Sequence, residues 1–181
     1  MPWYAHHVTD PFRRHDDHLL QVVLPHIAQW YPAAPGSRGH RLLGFSKSGF
    51  GAMMLLARYP DLFYAAASWD APLLLSLDSD DHYQALSHFG TPQHFSTFLP
   101  SVLFQANPAP FQHDFRIILA GHQLFGAEAL PPARGHCHTA GLHILLQELG
   151  IKHLYRNDLR TPHVWHRDWL EPVVELLMGL S

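Results

Sequence analysis

The chain has 181 residues, 47% hydrophobic and 15% charged, with 12 Lys and Arg against 15 Asp and Glu for a net charge of -3, which fits one globular domain spanning 1–181 and excludes disorder or a basic nucleic-acid-binding surface. A single cysteine, Cys137, excludes an intrachain disulfide framework. Apolar runs far shorter than the ~20 residues of a membrane span, and a start without a secretory pattern, predict no membrane partner and a cytoplasmic location.

Residues 1–14 read as an entry loop. From His15 to Trp30, the positions Leu20, Val23, Leu24 and Ile27 follow one helical face, which Pro25 should kink. Residues 41–45 form a short apolar run that ends in a turn rich in Ser and Gly, as a buried strand would. A helix follows over 48–59, with Phe50, Met53, Met54 and Ala57 on one face. A second strand is expected over 63–69. The stretch after it, about 71–114, is rich in Ser, Pro, His and Phe, and is too long for an ordinary connection. It reads as a partly helical lid whose Phe89, Phe95, Phe98, Phe104 and Phe111 either line an acyl pocket or pack its own core.

A third strand is predicted over 115–120, then a helix striped by Leu142, Leu145, Leu146 and Leu149, and a fourth strand over 151–155. The last helix has the face Leu170, Val173, Val174 and Leu177, with Pro172 tolerated only near its first turn. Strands alternating with helices predict an α/β fold with a mostly parallel sheet and crossover helices.

The sharpest chemical signal is Gly44-Phe45-Ser46-Lys47-Ser48-Gly49-Phe50-Gly51-Ala52, set where a strand meets a helix. This approximates a nucleophile elbow, a sharp turn that lifts a serine hydroxyl above the sheet. Ser48 stands where the pattern has glycine. Such a turn aims the Lys47 backbone amide and the helix N-terminus at the position of a developing oxyanion. The alternative is a tight turn whose serine merely caps the helix. A serine nucleophile needs a base, and His163, in Thr161-Pro162-His163-Val164-Trp165, falls after the last strand, where the chain order expects one. His166 is the substitute.

The elbow, together with Ser68-Trp69-Asp70-Ala71-Pro72, Leu149-Gly150-Ile151-Lys152-His153 and Pro162-His163-Val164-Trp165-His166, resembles the esterase branch of the α/β-hydrolase superfamily, akin to esterase D. The resemblance implies hydrolysis of a small carboxylic ester or thioester through an acyl-enzyme, without cofactor or metal. It implies Ser46 as nucleophile, Lys47 as oxyanion donor and His163 as base. Two carboxylates compete to complete the triad. Asp70 ends the strand after the elbow helix and is preferred. Glu128 lies after the third strand, the more usual location, but in a poor likeness of the acidic loop; Asp158 stands behind both.

Only a loop and one helix precede the elbow strand, so the chain resembles the C-terminal two-thirds of a fold that has about eight strands and draws its second oxyanion amide from an earlier loop. The first strand would then have an open edge, which a homo-oligomer could cover. Two rival functions remain: a binding or scaffold domain of hydrolase shape, and a metal-dependent hydrolase. The second is motivated by 17 histidines and by His136-Cys137-His138 with His122 and His143 nearby.

Overall fold

Four short strands, β1 (Arg41–Phe45), β2 (Ala65–Trp69), β3 (Ile117–Ala120) and β4 (His153–Arg156), form one parallel sheet in the order β1-β2-β3-β4. The computed structural model describes residues 3–32, 39–75, 84–122 and 138–180. Register aligns Phe45 with Trp69, Trp69 with Ala120, and Ala120 with Arg156. All four chains therefore leave the sheet at the same edge, where open α/β sheets gather their reactive groups.

Helices cover both faces, and the strand sequences record it. Every residue of β2 and β3 is buried, as expected of strands sandwiched between helical layers. Alternation then sorts their side chains. Ala66, Ile117 and Leu119 pack into a core with Phe50, Met53 and Met54 of α3 (Lys47–Arg58) and Leu142 and Leu146 of α7 (His138–Glu148). Ala65, Ala67, Trp69, Ile118 and Ala120 face α8 (Arg167–Gly179) through Trp169, Val173 and Leu177.

The predicted helix over 15–30 is present but interrupted. It runs as α1 (His15–His18), a π-helical turn (Leu19–Val23) and α2 (Leu24–Trp30). Pro25 explains the break: its ring would clash with the carbonyl four residues back, and the wider turn gives it room. Leu19, Leu20 and Leu24 pack on the core, while Val22, Ile27 and Trp30 remain exposed.

Between β2 and β3 lie α4 (Ala85–Phe89), α5 (Pro92–Ser96), α6 (Pro100–Ala106) and a 3-10 turn at Ala109–Phe111. Phe89, Phe95, Phe98, Phe104 and Phe111 are all buried in the same core as α3, so these rings pack the segment rather than line an open pocket. Arg116 ties this region to the sheet. Its guanidinium donates to the carbonyls of Tyr64 (2.6 Å), Pro60 (2.5 Å), Phe63 (2.8 Å) and Pro110 (3.0 Å).

The last helix starts earlier than its apolar face suggested. Its N-cap is His166, so Pro172 sits inside it, past the first turn, and Trp169 rather than Val174 is buried.

Candidate active site

Ser46 occupies the turn between β1 and α3 with φ 55 and ψ -126, a conformation that non-glycine residues rarely adopt and that costs about 1–3 kcal/mol. Its N–H donates to the carbonyl of Trp69 (2.9 Å), and its own carbonyl accepts from Gly49 (2.8 Å) and Phe50 (3.2 Å) as α3 begins. The hydroxyl makes no capping hydrogen bond to the helix it precedes. The capping-serine alternative therefore fails at Ser46. Gly44 makes the bend feasible, because a Cβ there would lie 2.1 Å from the Ser48 carbonyl oxygen. Lys47 is the first residue of α3, with its ammonium 5.0 Å from the Trp3 ring centre.

Asp70 follows the last residue of β2 and is also held at positive φ, 41. It is 1% exposed. Its N–H donates to Ala120 (3.0 Å), and its Oδ1 accepts from the His122 N–H (2.8 Å). Oδ2 lies 3.5 Å from His163 Nδ1. That separation is longer than a good hydrogen bond. Space for the carboxylate comes from Gly121, φ 119, where a Cβ would fall 2.1 Å from Asp70 Oδ1.

His163 is positioned by aromatic packing. Its ring centre is 4.5 Å from that of Phe45, the residue before Ser46. Phe45 in turn contacts Trp165 (5.3 Å) and Trp169 (5.9 Å), and Trp169 stacks on Trp69 at 5.0 Å with a 5° interplanar angle. The Trp169 indole N–H also donates to the carbonyl of Val164 (2.8 Å), pinning the loop that bears His163.

The other candidates are occupied elsewhere. His166 caps α8, accepting from the Asp168 N–H (3.3 Å). Asp158 is gripped by Arg156 through two hydrogen bonds (2.6 and 2.7 Å), which hold its carboxyl down to about 2. Glu128, His136 and Cys137 lie outside the described residues. Among the described residues no group of three or more His, Cys, Asp or Glu is arranged to hold a metal ion. His138 is buried, accepts from the Leu74 N–H at Nδ1 (3.0 Å), and is pushed down to about 4 by burial. His143 and His153 share a 2.7 Å hydrogen bond, and burial lowers the pKa of both.

One His–carboxylate pair escaped the sequence reading. Asp16, fully buried, meets His6 Nδ1 at 2.7 Å. An acid in the first turn of a helix is ordinary by itself, and a partner ten residues earlier leaves no periodic trace.

Comparison with known proteins agrees with this architecture. A family model described as "Putative esterase" matches residues 5–85. The S-formylglutathione hydrolase of Agrobacterium tumefaciens superposes with a TM-score of 0.69 at 12% identity, over 96% of this chain and 60% of that one. A ferulic acid esterase gives 0.60 at 13% identity, over 91% and 59%, and MPT51 of Mycobacterium tuberculosis gives 0.67 at 20%, over 98% and 71%. This chain thus spans about 60% of the length of the first two. No curated protein sequence matches. Among the described residues no helix is long and apolar enough to cross a membrane.

Proposed function

We propose that this chain, α/β-hydrolase in fold and esterase-like over residues 5–85, is a serine hydrolase that cleaves a small carboxylic ester or thioester through an acyl-enzyme. The observation that carries the reading is Ser46 itself. A strained, non-glycine residue sits at a strand-to-helix turn, its hydroxyl is not used as a cap, and a His–Asp pair packs against the preceding residue.

In this reading Ser46 Oγ attacks the ester carbonyl carbon while His163 Nε2 takes its proton. The negative charge that develops on the carbonyl oxygen is met by the Lys47 N–H at the start of α3. Asp70, facing Nδ1, orients the imidazole and stabilises its protonated form. Collapse of the tetrahedral adduct expels the alcohol or thiol, which His163 protonates. Water then repeats the sequence on the acyl-serine and releases the acid.

A fluorophosphonate probe followed by peptide mapping tests the proposal. The expected result is a single adduct on Ser46, absent in Ser46→Ala and much slower in His163→Ala. A Glu128→Gln variant that labels normally supports Asp70 as the triad acid; one that does not transfers the role to Glu128. Folded protein that takes no label, or takes it elsewhere, leaves a binding domain of hydrolase shape. A mass that rises with concentration would support a homo-oligomer along the β1 edge.

A further inference from the structure

We propose that Ser48, which stands where the elbow pattern has glycine, is a positioning residue that closes the outer edge of β1 and thereby fixes both Ser46 and His163. The proposal rests on the serine-hydrolase reading for its catalytic consequence, but its structural half stands on hydrogen bonds alone.

In a parallel ladder, successive residues direct their N–H and C=O groups alternately to one side and the other. Ser46 donates its N–H to Trp69, so that N–H faces β2. The N–H and C=O of Phe45 consequently face away from β2, toward the side where, among the described residues, β1 is last in the sheet order. There the Ser48 hydroxyl meets both. Its Oγ accepts from the Phe45 N–H at 2.9 Å and donates to the Phe45 carbonyl at 2.7 Å. One side chain thus supplies the donor and the acceptor that a neighbouring strand would have given, and a glycine could supply neither.

The location matters because Phe45 joins the two halves of the site. Its backbone enters the strained turn at Ser46, and its ring lies under His163 at 4.5 Å. If the edge is left unpaired, the peptide next to the nucleophile exchanges its partner for water. The ring that supports the base then moves with it. Ser48 also lines an open apolar groove of about 310 Å³ with Leu42, Leu43, Ala52, Leu55 and Trp165, so there is room beside it for one more methyl group.

The test compares Ser48→Ala, Ser48→Gly and Ser48→Thr with the wild type in ester turnover and in amide hydrogen exchange at Phe45. Expected are a roughly tenfold fall in kcat with KM within about twofold for the Ala and Gly variants, recovery in Ser48→Thr, and faster Phe45 exchange only where the hydroxyl is lost. Ser48→Gly is the sharpest arm, because it restores the usual pattern: an improved enzyme would overturn the proposal. Equal Phe45 protection in wild type and Ser48→Ala would also overturn it. Wild-type protein that never turns over ester sinks the hydrolase reading, and with it the catalytic half of this one. Phe45 exchange would then decide edge closure by itself.

Discussion

His6 and Asp16 meet at 2.7 Å with the carboxylate fully buried, whereas His163 and Asp70 stand 3.5 Å apart at the carboxyl edge of the sheet. The tighter pair is embedded in packing: the His6 carbonyl accepts from His94, and its ring abuts those of His94 and Phe98. The looser pair adjoins two residues at positive φ, Ser46 and Asp70 itself. The proposed function assigns the short contact the role of a structural tie and the longer one, beside the turn at Ser46, the role of orienting a base.

Breaking each pair in the same way should separate these roles. Asp70→Asn is expected to cut ester turnover by about 10,000-fold with little loss of stability, measured by kinetics and thermal melts. Asp16→Asn should do the opposite, leaving turnover within about threefold of wild type while lowering stability by about 2 kcal/mol, or roughly 4–8 °C in Tm.

Acid sharpens the contrast by acting on histidines outside both pairs. Burial holds His138 at about 4, below its ordinary value of 6.5. Between those two pH values the unfolded chain binds a proton that the folded chain refuses. The stability present above pH 6.5 is therefore lost as pH falls toward 4, by at most about 1.4 kcal/mol per pH unit for one group. Denaturant titrations at pH 7.5 and 5 should reveal this slope, and His138→Gln, which keeps an acceptor for the Leu74 N–H, should lessen it, leaving the share of His143 and His153. The smallest effect expected is that of Trp169→Phe. It keeps a ring in the stack but frees the Val164 carbonyl, costing about 1 kcal/mol and a few-fold in kcat, read from melts and kinetics together.

The parts of the molecule that were legible in the sequence are those written in local patterns. Apolar runs located all four strands, and the Gly-x-Ser spacing located the strand-to-helix turn. Strand starts moved inward by two residues at 63, 115 and 151; at the first and last of these the N–H of Phe63 closes a turn onto Tyr59 and that of Ile151 returns to Leu146. Contacts between distant residues were not legible. Nothing in the spacing joins Asp16 to His6 or Arg116 to Pro60, since such ties depend on which loops the fold brings together. Asp70 was preferred because it ends the strand after the elbow helix, and its approach to His163 depends equally on Gly121, whose missing side chain carries no chemical signature of its own.

The strand order of the sheet is also the order of synthesis. Each new strand can dock on the one made just before it, so the sheet can grow during translation from β1 outward and advance at one border only. None of the described strands made later covers the opposite border. A hydroxyl three positions downstream of Phe45 leaves the ribosome almost together with the backbone it covers, and can shield that border before β2 exists.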